Sequence, residues 1–212
     1  MRMVMFGSFY RGYYVLHELL HGALRHQIEV VGVATDDATQ SYVSPGKRVW
    51  QYPHAPADRS MVQVLAQSHG IDVYSGRVKT PEFYDRMRRD WRPDLCIMAT
   101  FGQKISPDLF ELPTLGFYNL HPCIDDGWPS RYVGPNPFQA LLDGHKTYTV
   151  IAMHRVDSDF DTGELIAYSE RIAIPPHVGV IDLHKITSPV AGRFAAAQIG
   201  HIIHLACART ST

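Results

Sequence analysis

The chain is poor in the residues that mark several functional classes. Among 212 residues there are three cysteines, Cys96, Cys123 and Cys207, an odd number with no metal-ligand spacing. That argues against a disulfide framework and against a thiolate metal site, and it fits a reducing, cytoplasmic compartment. Nothing near Cys123 marks a lowered thiol pKa, so a nucleophilic role is disfavoured although it closely follows His121. No apolar run approaches the roughly 18 residues of a membrane span. The apolar part of Met1–Ser8 is too short for a signal peptide and reads as a first buried strand. Charge of one sign is also missing: the formal net charge is −1, so no global basic surface invites a nucleic acid. No repeat or low-complexity tract is present. The first strand is not followed by G-x-G-x-x-G, which disfavours a plain dinucleotide-binding module.

What is present is an ordinary globular composition, 45% hydrophobic and 19% charged, of a length that suits one domain over 1–212. Short apolar runs at 2–6, 28–34, 71–74, 94–100 and 116–121 alternate with helix-periodic segments at 12–25, 61–69, 81–91 and 106–112. A helix at 135–143, strands at 147–156 and 165–174, and a helical segment at 179–208 broken near Pro189 follow. This order predicts an α/β fold: a Rossmann-like, mostly parallel twisted sheet with helices on both faces, late antiparallel strands and a C-terminal helix. The core is expected in 1–175. The apolar face of 179–208 suits packing on the sheet or a homodimer contact. Two long irregular stretches remain, 36–58 and 122–135, and long loops in compact domains carry function or disorder. The first holds Lys47, Arg48 and Arg59 around Trp50 and Tyr52, a basic stretch open to an anionic acceptor or to solvent.

The chemistry concentrates around Phe117-Tyr118-Asn119-Leu120-His121-Pro122. Asn119 and His121 are two apart, so on a strand they share a face. Pro122 lacks an N–H and should end that strand, leaving both side chains at a strand end, where α/β proteins place ligands. Forty residues on stands Asp161-Thr162-Gly163. An amide, an imidazole and a carboxylate suit acyl transfer. Asn119 donates to an oxyanion, His121 holds or moves a proton, and Asp161 is expected to raise the imidazole pKa. Taken alone, each has a bland reading: a hydrogen-bonded pair capping a strand, and a tight turn between strands.

Four blocks in order extend this pattern: Ala99–Pro107, Gly116–Pro122, Gly134–Gly144 and Val156–Ile166. Together they resemble the folate-dependent formyltransferases, the group that includes methionyl-tRNA, glycinamide ribonucleotide and sugar N-formyltransferases. The resemblance covers most of 2–175. It implies an enzyme with Asn119, His121 and Asp161 as catalytic residues, 10-formyltetrahydrofolate as donor, and no metal. It also implies a pterin slot between the 101–105 and 156–160 segments, with Phe101, Gln103, Lys104, Ile105, Asp157, Ser158 and Asp159 as contacts. The partner expected is a small-molecule amine, an amino sugar (nucleotide-linked included) ahead of a modified amino acid, with no nucleic acid and no membrane.

Three departures steer that choice. The loop Gly7-Ser8-Phe9-Tyr10-Arg11-Gly12 places bulky rings where backbone would have to approach a phosphate, against glycinamide ribonucleotide. The tRNA enzymes carry a further C-terminal domain, which argues against initiator tRNA. The segment Cys123–Tyr132 is unusual after His-Pro, and it is expected to read the acceptor through Asp125, Asp126, Trp128, Arg131 and Tyr132, with Tyr10 beside it. A competing motif, His17-Glu18-Leu19-Leu20-His21, matches the zinc-hydrolase pattern H-E-x-x-H. Twelve histidines make a chance match easy, and no third ligand stands at an obvious spacing.

Overall fold

The computed structural model describes residues 1–36, 49–132, 134 and 136–210. Lys47 and Arg48 of the expected basic loop lie outside the described residues.

Strands β1 (Arg2–Gly7), β2 (Glu29–Ala34), β3 (Val73–Tyr74), β4 (Leu95–Ala99) and β5 (Phe117–Cys123) pair in parallel. Strands β6 (Tyr148–Arg155) and β7 (Leu165–Tyr168) then add antiparallel, giving the order β3-β2-β1-β4-β5-β6-β7. The expected single strand over 165–174 is two: β7 and β8 (Ile172–Ala173), which pair with different parts of β6.

The sheet separates two cores by simple alternation. On β1, Met3 and Met5 face one cluster while Val4 and Phe6 face the other. The first core is roofed by α1 (Phe9–His21), α2 (Pro56–Ser68) and the long α6 (Val180–Thr210). The second is roofed by α3 (Pro81–Asp85), which runs on as a π-helical turn through Trp91, and by the short α4 (Pro107–Phe110). Helix α5 (Pro137–Asp143) buries Phe138 and Leu141 against Val180 and Leu183 of α6.

Helix α6 continues through Pro189, so the expected break is absent. Packing outweighs the local cost of proline. Ala191, Ala195 and Ile199 are buried in the first core, and Gly192 lets α6 ride on α1, where an added Cβ would stand 2.7 Å from the Tyr14 carbonyl oxygen. Ile202 and Ile203 also pack on that core, leaving Leu205 exposed.

Strand β5 likewise does not stop at Pro122. It pairs Pro122 with Ile151 and Cys123 with Val150 of β6. The reason is local. Ile151 directs its N–H to Ser169 Oγ and its carbonyl to Ser169 N, so the ladder opposite Pro122 needs no proline N–H. On its other edge β5 is paired with β4 only as far as Asn119, and beyond that point the edge is open.

Candidate active site

The carboxyl ends of β1, β2, β4 and β5 open onto a cavity of about 680 Å³, reached by Ser8, Asp36, Thr100, Asn119 and His121. This is where an open α/β sheet offers a ligand crevice. Asn119 and His121 point to the same face of β5, as their spacing requires, and both are buried, 8% and 5% exposed. Asp161 reaches them from the 156–164 loop, its backbone held in the left-handed region at φ 54°. Gly163 holds that loop close, because a Cβ there would lie 2.1 Å from the Arg155 carbonyl oxygen.

The polar contacts form one connected set. Asn119 Nδ2 donates to Asp161 Oδ1 at 3.0 Å. His121 Nδ1 lies 3.4 Å from Asp161 Oδ2. His121 Nε2 lies 2.6 Å from the Tyr132 carbonyl oxygen, which can only accept, so Nε2 carries a proton. A fourth member is His154, paired with Asn119 across β5 and β6 and only 2% exposed. Its Nε2 stands 3.1 Å from Asn119 Nδ2 and 3.5 Å from Asp161 Oδ1, while Nδ1 donates to the Arg155 carbonyl at 2.7 Å. The Trp128 ring leans on it with centroids 4.9 Å apart.

Electrostatics reverse one expectation. Burial pushes the His121 pKa below its ordinary value, and this outweighs the raising effect of Asp161. Burial acts to raise Asp161, but the His154 hydrogen bond and the nearby imidazoles prevail and hold it below the usual carboxylate range. The resting pair is therefore a neutral imidazole beside a carboxylate, with the unprotonated Nδ1 on the side of Asp161 Oδ2.

Of the expected donor contacts, Phe101, Gln103, Lys104, Ile105, Asp157 and Asp159 line the cavity, and Ser158 does not. The Gln103 amide is occupied with the Val78 N–H and the Gly76 carbonyl, and Asp157 accepts from Thr162 and from the Asp159 N–H, so both brace their loops. Beside backbone and apolar surface, the charged side chains of Lys104, stacked over Phe160, and Asp159 remain on this lining.

The expected acceptor residues are placed otherwise. Tyr10 donates to Asp58, Asp125 is tied to Tyr148 and Arg171, and Asp126 pairs with Arg131. None of these side chains lines the cavity, and neither do Trp128 and Tyr132. The loop acts on the site through the Tyr132 carbonyl and the Trp128 ring instead. The cavity is also lined by Arg11, Trp50, Phe138, Val180 and His184; Arg11, Trp50 and Phe138 fall in segments noted in the sequence, but none of the five was singled out there as a binding residue. The His17 and His21 rings lie 4.6 Å apart on α1, away from the cavity, and no group of three potential metal ligands converges among the described residues.

The family model described as formyl transferase matches residues 1–187. The chain belongs to that family. It is 30% identical over 186 residues to the methionyl-tRNA formyltransferase of Syntrophomonas wolfei, covering 87% of this chain and 54% of that protein. The Myxococcus xanthus enzyme of the same name is 33% identical over 132 residues, 62% of this chain and 40% of its own. The chain thus spans about half the length of the curated relatives it matches. Among solved structures, glycinamide ribonucleotide transformylase 1 from Symbiobacterium toebii superposes with a TM-score of 0.70 at 15% identity, over 94% of this chain and 86% of that one. A formyltetrahydrofolate deformylase from Pseudomonas syringae gives 0.67 at 16%, over 96% and 61%. These structural likenesses show the formyltransferase fold.

Proposed function

We propose that this formyl transferase family chain moves a formyl group from 10-formyltetrahydrofolate to the amine of a small acceptor, with an amino sugar as the leading class. The observation that carries it is the meeting of Asn119, His121 and Asp161, from two distant segments, at the floor of one cavity. The cavity volume is within the range of small-molecule sites. Family membership supports the donor. The acceptor class rests on the bulky Gly7–Gly12 loop, and methionyl-tRNA and glycinamide ribonucleotide, named for the relatives, stay as the alternatives.

Each residue has a distinct task. The acceptor's neutral amine attacks the formyl carbon, forming a C–N bond while the carbonyl becomes an oxyanion. Asn119 turns an N–H from its partners to that oxygen; one such donor is worth about 3–4 kcal/mol of barrier. His121 Nδ1, neutral at rest, takes the proton the amine loses, and Asp161 beside it stabilises the imidazolium. Collapse breaks the bond to the folate nitrogen, and His121 returns the proton to that leaving nitrogen. The Tyr132 carbonyl holds Nε2 and so fixes the tautomer that leaves Nδ1 free to act.

The test is a screen of amines with 10-formyltetrahydrofolate, following tetrahydrofolate release. Formylated product from at least one amine, lost in His121→Ala, is expected. No transfer to a broad panel, together with no folate binding, would overturn the proposal.

A further inference from the structure

Arg11 is the third residue of α1 and is 3% exposed. Its Nε and Nη2 are buried and have no hydrogen-bond partner among the described residues. A buried guanidinium without a counter-charge is costly, and proteins keep such groups paired. Here the buried and half-buried carboxylates of the cavity are engaged elsewhere. Asp36 accepts from the Gly102 N–H at 2.6 Å, Asp157 accepts from Thr162, and Asp161 serves Asn119 and His121. Burial alone pushes the Arg11 pKa down, to about 10, with no carboxylate opposing it.

A second orphan stands beside it. His184 of α6 is 8% exposed, and its Nδ1 is also buried without a partner among the described residues. The two side chains share one aromatic lining: the guanidinium carbon lies 5.3 Å from the Phe138 ring centre, and the His184 ring lies 4.8 Å from the same ring. Phe138 covers a face of the guanidinium, and its N–H edge remains for a ligand. Both residues line the cavity that holds Asn119 and His121, and the Arg11 charge is felt at His184 and at His121 alike.

We infer that Arg11 and His184 form an oxyanion subsite that holds a carboxylate or phosphate of the formyl acceptor and so selects anionic amines. In its kinetic consequence this rests on the function proposed above; the subsite itself does not. A guanidinium N–H pair is a bidentate donor to either anion and the imidazole can supply a further N–H, and the anion supplies the counter-charge that the described residues leave out.

The test compares three amines built on one sugar: glucosamine, glucosamine 6-phosphate and glucosaminic acid. One anionic amine is expected to exceed glucosamine in kcat/KM by about 30-fold or more, through KM, as suits hydrogen bonds to charged groups. Which one does so tells phosphate from carboxylate. In Arg11→Met the preference should collapse to within about threefold, and Arg11→Lys should keep part of it. The second arm needs no turnover: inorganic phosphate or acetate should raise the Tm of the wild-type protein and not of Arg11→Met. If Met is not tolerated, Arg11→Gln replaces it. A wild-type enzyme that formylates all three sugars alike, or anions that stabilise wild type and variant equally, overturns the subsite and leaves formyl transfer standing. Anion stabilisation confined to wild type, with no amine formylated, sinks the proposed function and leaves the subsite.

Discussion

Two clusters of buried polar groups line one cavity, and they differ in a single respect. Asn119, His121, His154 and Asp161 satisfy one another and two backbone carbonyls, those of Tyr132 and Arg155. Arg11 and His184 keep buried nitrogens that no described residue satisfies. A closed network in a low-dielectric site holds its members in fixed positions, so a donor such as Asn119 need only turn from its neighbours to meet a developing charge. An open pair, unpartnered among the described residues, suits the binding of a group from outside the protein, as inferred above. On the function proposed above, the contrast puts the chemistry at the end of β5 and recognition at the lining between α1 and α6.

The sharpest way to break that division is kinetic. His121→Phe removes the proton carrier and should lower kcat by about 10²–10⁴-fold, while Asn119→Ala should lower it by roughly 10²–10³-fold. Both should leave the KM for the acceptor near the wild-type value. Steady-state kinetics with a saturating donor decides the matter. A KM defect with normal kcat in either variant would place the closed cluster in binding and erase the contrast.

A smaller effect is expected from Gly163→Ala, which touches no ligand. The added methyl would meet the Arg155 carbonyl oxygen at 2.1 Å, and backbone cannot yield as a side chain does. The loop must shift, carrying Asp161 off His121. A displacement on the order of 1 Å costs up to about 10²-fold, so kcat should fall by about 10- to 100-fold while the fold persists. A wild-type kcat in Gly163→Ala would show that the Asp161 position is not held by this close approach.

Much of the closed cluster was legible in the chain because two of its members are neighbours on one strand. Period 2 puts Asn119 and His121 on one face whatever the rest of the fold does. The chain order of strands and helices similarly dictated a mostly parallel sheet with late antiparallel strands. His154 was not legible in this way. It is one of twelve histidines, and only the antiparallel register of β5 against β6 sets it opposite Asn119. Arg11 left a fainter signal: it shares a helical stripe with Val15 and Leu19, four and eight residues on, both buried. A charge on an apolar stripe is itself the mark of a buried ion. His184 repeats the pattern after Val180 on α6. The roles of the acceptor-loop residues were less legible, for the opposite reason. Its carboxylates, arginine and aromatics look like recognition groups, yet Asp125, Asp126 and Arg131 direct their charges to nearby partners. The extended β5 and the unbroken α6 show the same lesson about proline, whose local cost is overridden when its missing N–H faces no acceptor or when the helix face is buried.

The mildest test reads stability against pH, and its sign follows from the direction of two shifts. His121 and His184 both have pKa values below the ordinary 6.5, each chiefly because burial penalises the charged ring. For a group depressed on folding, the unfolded chain binds the proton first. Between the folded value and 6.5 the unfolded state therefore holds more protons, and unfolding becomes easier as pH falls. The stabilisation is fully present above that window and is lost as pH drops through it. Asp161, also depressed, loses its own contribution only below its ordinary value of 3.8, so it does not confuse the upper window. Thermal melts taken from about pH 8 down to about pH 5 should show Tm falling once pH passes below the ordinary imidazole range. His184→Gln, which cannot titrate, should flatten part of that slope, and phosphate bound at Arg11 should shift it by relieving the positive field on His184. A Tm unchanged across the range would mean that the open cluster is not sealed from water at rest, and the contrast between the two clusters would have to be redrawn.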